Sequence, residues 1–239
     1  MTSRIGALTR FLLIDFVRSL RVVVPPGLLL ALYRVFFLYG SDARYFGAIG
    51  ALMLGSICIV TALLIASSLN RASTYPLIAR LPARHGIIAA VVLASLTITT
   101  LLAVLFVAAI ILTAQVPLTP PDLAVISARW VAVLLVAVTF ALHLSRFVAR
   151  GGSNLIAYAI LILCLISFQR ADYPSFAALD WTENLVTRLL VPLNALIGGA
   201  AAGTGLIYAG YFTATVLYSS ILYLAAIWLF RDKDLAWAE

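Results

Sequence analysis

The chain has 239 residues, 64% of them hydrophobic and 10% charged, with a net charge of +7 and a mean hydropathy of +1.12. An ordinary soluble domain is about 45–50% apolar and about 25% charged, so this chain has too few polar residues to cover a core of its own in water. Lipid is the expected solvent for most of its surface. The basic excess then points to topology and anionic headgroups, not to nucleic acid, since no clustered basic and aromatic run accompanies it.

Residues 1–21, MTSRIGALTRFLLIDFVRSLR, carry charges throughout and lack the separate apolar core and small-residue cleavage site of a secretory signal. At about 100° per residue, Arg4, Arg10, Asp15, Arg18 and Arg21 share one arc of roughly 140°, with Ile5, Leu8, Leu12, Phe16 and Leu20 on the other side. Phe11 and Ile14 break the pattern. This is an expected interfacial amphipathic helix, serving as a surface anchor or as a docking element for a partner.

Six spans follow, at about 22–39, 47–69, 87–113, 126–146, 152–168 and 206–230. They rest on the windows 45–70, 85–121, 151–169 and 189–230, which contain no Asp, Glu, Lys or Arg, and on about 20 helical residues sufficing to cross a hydrocarbon core of roughly 30 Å. Arg34 and Arg129 lie near the ends of the two interrupted spans, where an arginine is expected to snorkel to the headgroups. The window 189–230 is too long for one crossing. Its first part holds Pro192 and a glycine-rich break at 198–205, which predicts a re-entrant or outer helical segment, with a seventh full span as the alternative. The whole of 1–239 reads as one all-α polytopic transmembrane domain, since no segment between spans exceeds about 40 residues, too few to fold alone.

Six spans place Arg4, Arg10, Arg18, Arg21, Arg71, Arg80, Arg84, Arg146, Arg150, Arg231 and Lys233 on one side, eleven of the sixteen basic residues. Arg34, Arg44, Arg129, Arg170 and Arg188 fall to the other, with Asp42, Asp122, Asp172, Asp180 and Glu183. The bias predicts both termini in the cytoplasm, in a plasma (inner) membrane.

Several chemistries have no signature here. There is no GxxxxGK[ST] phosphate loop and no HExxH, and the two histidines, His85 and His143, are far apart. No paired acids lie within a span to relay protons. No catalytic, metal or cofactor residue is therefore assigned. Cys58 and Cys164 read as small packing residues, and His143 as an interhelical hydrogen-bonding group.

The segment between spans two and three, NRASTYPLIARLPARHG, is basic, free of acids and broken by Pro76 and Pro82. It is the longest cytoplasmic loop between spans, able to lie on the membrane or to dock a partner. This layout resembles the permease subunits of type-2 ABC exporters, in which a short helix before span three contains a small residue and Thr, then Leu, then Pro and a basic residue. Thr74, Leu77, Pro82 and Arg84 fit that order, although Asn70 and Arg71 stand where the family has an acid and Ser73 where it has Gly. Residues 180–203 match the family's short outer hairpin in place.

The resemblance implies a separate ABC-type ATPase subunit that binds ATP, and a second permease copy or a homologous permease. It also implies a coupling element formed by Arg71, Thr74, Tyr75, Leu77, Ile78, Arg80, Pro82 and Arg84, with the N-terminal helix beside it. The competing reading of that segment is a basic loop that only sets topology. The competing functions are a non-catalytic anchoring or assembly subunit of a larger membrane complex, and a secondary carrier or intramembrane enzyme.

Overall fold

A computed structural model describes residues 2–37, 41–69, 85–113, 116–145, 192–193, 195–196 and 205–231. Its elements are α1 (Thr2–Arg18), a 3-10 helix (Leu20–Val23), α2 (Val24–Phe36), α3 (Ala43–Ser68), α4 (His85–Thr113), α5 (Pro120–Leu144) and α6 (Gly205–Arg231), with no strand among the described residues. Four helices are long and apolar enough to cross a membrane: α3, α4, α5 and α6. The spans expected at 47–69, 87–113, 126–146 and 206–230 coincide with them. The fifth, at 152–168, lies outside the described residues.

Local capping extends two helices beyond their apolar runs. Asp42 accepts a bond from the Tyr45 amide at 2.6 Å, so α3 starts at residue 43. Thr119 and Asp122 form a reciprocal capping box, and Pro120 and Pro121 occupy the first turn, where a missing N–H costs nothing. Thus α5 starts six residues before the expected 126.

The first expected span, 22–39, takes a different form. The chain breaks at Ser19, whose backbone is extended, continues through the 3-10 helix and then enters the 13 residues of α2. Those 13 residues rise about 20 Å, less than a hydrocarbon core. Contacts at both ends nevertheless fix the course of this segment. The Arg21 guanidinium donates to Leu64 O near the C-terminus of α3, and the Phe37 ring lies 5.8 Å from that of Phe46 near its N-terminus. Leu20–Phe37 therefore lies along roughly 27 Å of α3, the rise from 46 to 64. The 3-10 helix helps by rising about 2 Å per residue.

Helix α3 is the centre of the bundle. Gly47 meets Ile126 and Arg129, Gly50 meets Trp130, and Gly55 meets Val133 and Ala137, so α3 and α5 run in the same direction at close approach. Small residues at such a contact let backbones and large partner side chains come together without solvent exclusion to drive them. Helix α4 runs the opposite way, with Phe106 beside Phe46 at one end and Ile87 clustered with Ile65 at the other. Helix α6 is parallel to α5: Tyr208 Oη donates to Val125 O at 3.0 Å, Ser219 Oγ donates to Leu135 O at 3.1 Å, and His143 Nε2 lies 2.9 Å from Leu222 O. Gly205 thus starts at the bundle end where Pro120 starts.

The bundle has two distinct ends. At one, Phe37, Phe46, Phe106 and Trp130 form a ring cluster with centroids 5.3–6.0 Å apart. At the other, α1 packs over the ends of the long helices. Leu193, from the expected re-entrant segment, packs against the hydrophobic core.

Candidate functional site at the N-terminal helix

The expected docking residues Arg71, Thr74, Tyr75, Leu77, Ile78, Arg80, Pro82 and Arg84 lie outside the described residues, as do 146–191 with Cys164. What the structure describes is the frame around 70–84, and that frame is built largely by α1.

Leu8, Leu12 and Phe16 are buried among Ile65, Leu69, Ile87, Ile88 and Phe230. These residues come from the C-terminal end of α3, the N-terminal end of α4 and the C-terminal end of α6. Two further contacts reach the flanks of the segment itself. Arg21 Nη1 donates to Ser67 Oγ at 2.7 Å and to Leu64 O at 3.2 Å, just before the segment. Ile5 packs against Gly86 just after it; a Cβ on Gly86 would lie 3.5 Å from Ile5 Cγ1. Helix α1 and the 3-10 helix after it therefore hold both roots of 70–84 between them.

Arg4, Arg10 and Arg18 are exposed, as the amphipathic pattern expected, while Arg21 is half-buried by its bonds to α3. Leu20 corrects the pattern: expected beside Phe16, it is 92% exposed. The 3-10 helix begins at Leu20 and turns about 120° per residue, which breaks the register of the α-helical stripe. Phe11, Ile14 and Val17 are exposed as well, so α1 carries a second apolar face next to its arginines. A helix with one face on the bundle and an opposite face of mixed apolar and basic residues suits a membrane surface.

The bundle interior contains polar groups of two kinds. His143 bonds across to Leu222 O, as its position within an apolar span suggested, and Cys58 is a fully buried packing residue whose Sγ lies 3.8 Å from Leu134 O. Arg129 is the correction. Expected to reach the headgroups, it is 4% exposed and held between α3 and α5 at the aromatic end. The missing side chain of Gly47 makes the space, since a Cβ there would lie 2.8 Å from Arg129 Nη1. Sequence position near a helix end did not reveal this. The available signal was the pairing of an arginine inside an apolar run with a glycine-bearing partner helix.

Among the described residues, no three His, Cys, Asp or Glu side chains come together to hold a metal. At the N-terminal site α1, the 3-10 helix and the roots of 70–84 share one packed unit. No family model, curated protein or solved structure matches the sequence.

Proposed function

We propose that this chain is the membrane-spanning permease subunit of an ATP-binding-cassette transporter, working as an exporter. A separate ATPase subunit supplies the energy. A second permease copy or a homologous permease completes the pathway. The protein lies in the plasma (inner) membrane with both termini in the cytoplasm. The observation that carries this reading is the hold of the N-terminal segment on both roots of 70–84, through Arg21 of the 3-10 helix on Ser67 and Ile5 of α1 on Gly86. A force applied to that segment by a partner would pass at once into α1, α3 and α4. ATP-driven closure of two ATPase subunits would draw the two coupling elements together and rock the attached helices.

Two features support six spans within this reading. The segment Leu20–Phe37 covers the same depth as α3 despite its short α-helix. The parallel course of α5 and α6 requires an odd number of crossings between residues 145 and 205. One crossing at 152–168 with a re-entrant 189–203 meets that condition; crossings at both places do not.

Tyr75→Ala combined with Leu77→Ala tests the coupling element. The double variant removes two apolar anchors and leaves every charge in place, so insertion should be unchanged. Co-purification of the ATPase should collapse, a loss of roughly 2–4 kcal/mol for two interface anchors. A variant that inserts normally and keeps its ATPase and transport rate would assign 70–84 a topological role only. Failure of the wild-type chain to co-purify any ATPase would favour an anchoring subunit.

A further inference from the structure

We propose that α4 is a lever: it pivots at Phe106 against a fixed unit of α3, α5 and α6, so that its first turns swing while its far end stays in place. The motion rests on packing within the bundle alone. Its use in transport rests on the permease reading.

Helices in lipid gain little by hiding apolar side chains against one another, because lipid tails are equally apolar. Hydrogen bonds between helices, and small residues that let backbones close up, are what hold two helices in one arrangement. The fixed unit has both. Gly47, Gly50 and Gly55 of α3 meet side chains of α5, and Trp130 Nε1 donates to Gly47 O at 3.0 Å. Three bonds of 2.9–3.1 Å, spaced along the contact, join α6 to α5: Tyr208 to Val125 O, Ser219 to Leu135 O and His143 to Leu222 O.

Helix α4 is attached differently. Its one glycine, Gly86, has Ile5 of α1 as its neighbour, not the fixed unit. Its hydroxyls turn back on their own helix, Ser95 to Val91 O, Thr97 to Leu93 O and Thr99 to Ser95 O. Among the described residues, the one hydrogen bond from α4 to the fixed unit joins Thr99 to the Cys58 thiol, and sulfur is a weak partner. The buried positions of its first turns, Ile87, Ile88, Ala90, Val91 and Ala94, offer an aliphatic surface that can slide.

One place on α4 is held. Phe106 is 2% exposed, and the rings of Tyr33, Phe37, Phe46 and Trp130 surround it with centroids 5.3–6.3 Å away. These rings come from α2, the residue after it, α3 and α5, and aromatic pairs contribute beyond the area they bury. Gly86 lies about 30 Å along α4 from this socket. A tilt of about 10° at Phe106 would carry Gly86 roughly 5 Å, and with it one root of 70–84. The other root is tied to the fixed unit, where Arg21 bonds to Ser67. The lever therefore moves one root against the other.

Spin labels on the full chain in lipid nanodiscs test the motion with no partner present. Cys164 is replaced by alanine, and Cys58, which is 0% exposed, stays to keep its contact with Thr99. Double electron–electron resonance compares three pairs of exposed positions: Leu93 with Leu224, Leu105 with Ile207, and Ser56 with Leu224. The first pair reports the swinging end of α4, the second its pivot end and the third the fixed unit. The first distance distribution should be roughly twice as wide as the other two. Equal widths overturn the proposal, and so does a second pair wider than the first, since the pivot would then lie elsewhere. Phe106→Ala should widen the second pair; no change there removes the pivot. Tyr208→Phe, Ser219→Ala and His143→Leu together should widen the third pair, and an unchanged width would show that those bonds do not fix α6. Should that variant fail to fold, the three widths of the parent chain still decide. No ATPase enters these measurements, so a chain that binds none can still carry the lever, and a rigid α4 leaves the co-purification test intact.

Discussion

The indole nitrogen of Trp130 donates to the backbone oxygen of Gly47 at 3.0 Å, deep in the contact between α3 and α5. One helical turn along, the same indole fills the space that a side chain at residue 50 would occupy. Two glycines and one tryptophan thus set the separation of the two most extensively packed helices, and the ring in turn joins the cluster of Phe46 and Phe106.

Gly50→Ala should therefore be strongly destabilising. The new Cβ would lie 2.5 Å from Trp130 Cζ2, part of a rigid ring that cannot fold away as a flexible chain end can. Overpacking of this kind costs about 1–3 kcal/mol. Gly27→Ala is the matched control: nothing lies within 4 Å of its Cβ position, and removing a glycine from a helix interior should contribute roughly 0.5–1 kcal/mol of stability. Unfolding in mixed micelles with increasing denaturing detergent should move in opposite directions for the two variants. Equal behaviour would mean that the close approach at Gly50 does not limit the packing.

The N-terminal helix makes a second contrast. Leu12 is 1% exposed and Leu20 is 92% exposed, although both belong to the same apolar arc in sequence. Leu12→Ala should leave a cavity against α3 and α4 and cost about 2–5 kcal/mol, whereas Leu20→Ala should change stability by less than about 0.5 kcal/mol. Thermal midpoints in one detergent decide it. A large loss at Leu20 would show that α1 continues as an unbroken helix through Ser19.

The parallel course of α5 and α6 is open to chemical labelling. With Cys58 and Cys164 replaced by alanine, single cysteines at Pro117 and Leu206 should react with a membrane-impermeant maleimide from the same side, and one at Ser67 from the other. Pro117, Leu206 and Ser67 are all exposed. Labelling of positions 117 and 206 from opposite sides would mean an even number of crossings between α5 and α6, and hence a seven-span chain.

The sequence alone determined where four long helices lie, because lipid leaves an apolar chain no other way to satisfy its backbone. Two of them begin ahead of the expected 47 and 126, at 43 and 120, because Asp42 and the pair Thr119 with Asp122 cap them, a short-range signal that apolar windows do not register. The sequence could assign His143 a bond to another helix, because a polar group inside an apolar run has few alternatives. Tertiary structure alone decided which faces of the helices meet. In a membrane the core-facing and lipid-facing sides of a helix are both apolar, so periodicity carries little contrast. Nothing in the residue pattern marks Ile110 as buried and Leu112 as exposed. The same lack of contrast hid the turning of Leu20 away from Phe16, where a 3-10 helix changes the angular step. It also hid the inward position of Arg129, which depends on an absent side chain at Gly47, 82 positions away in the chain. The six-span and seven-span readings of the sequence give α6 opposite directions relative to α5, and bonds such as Ser219 to Leu135 show the two helices parallel.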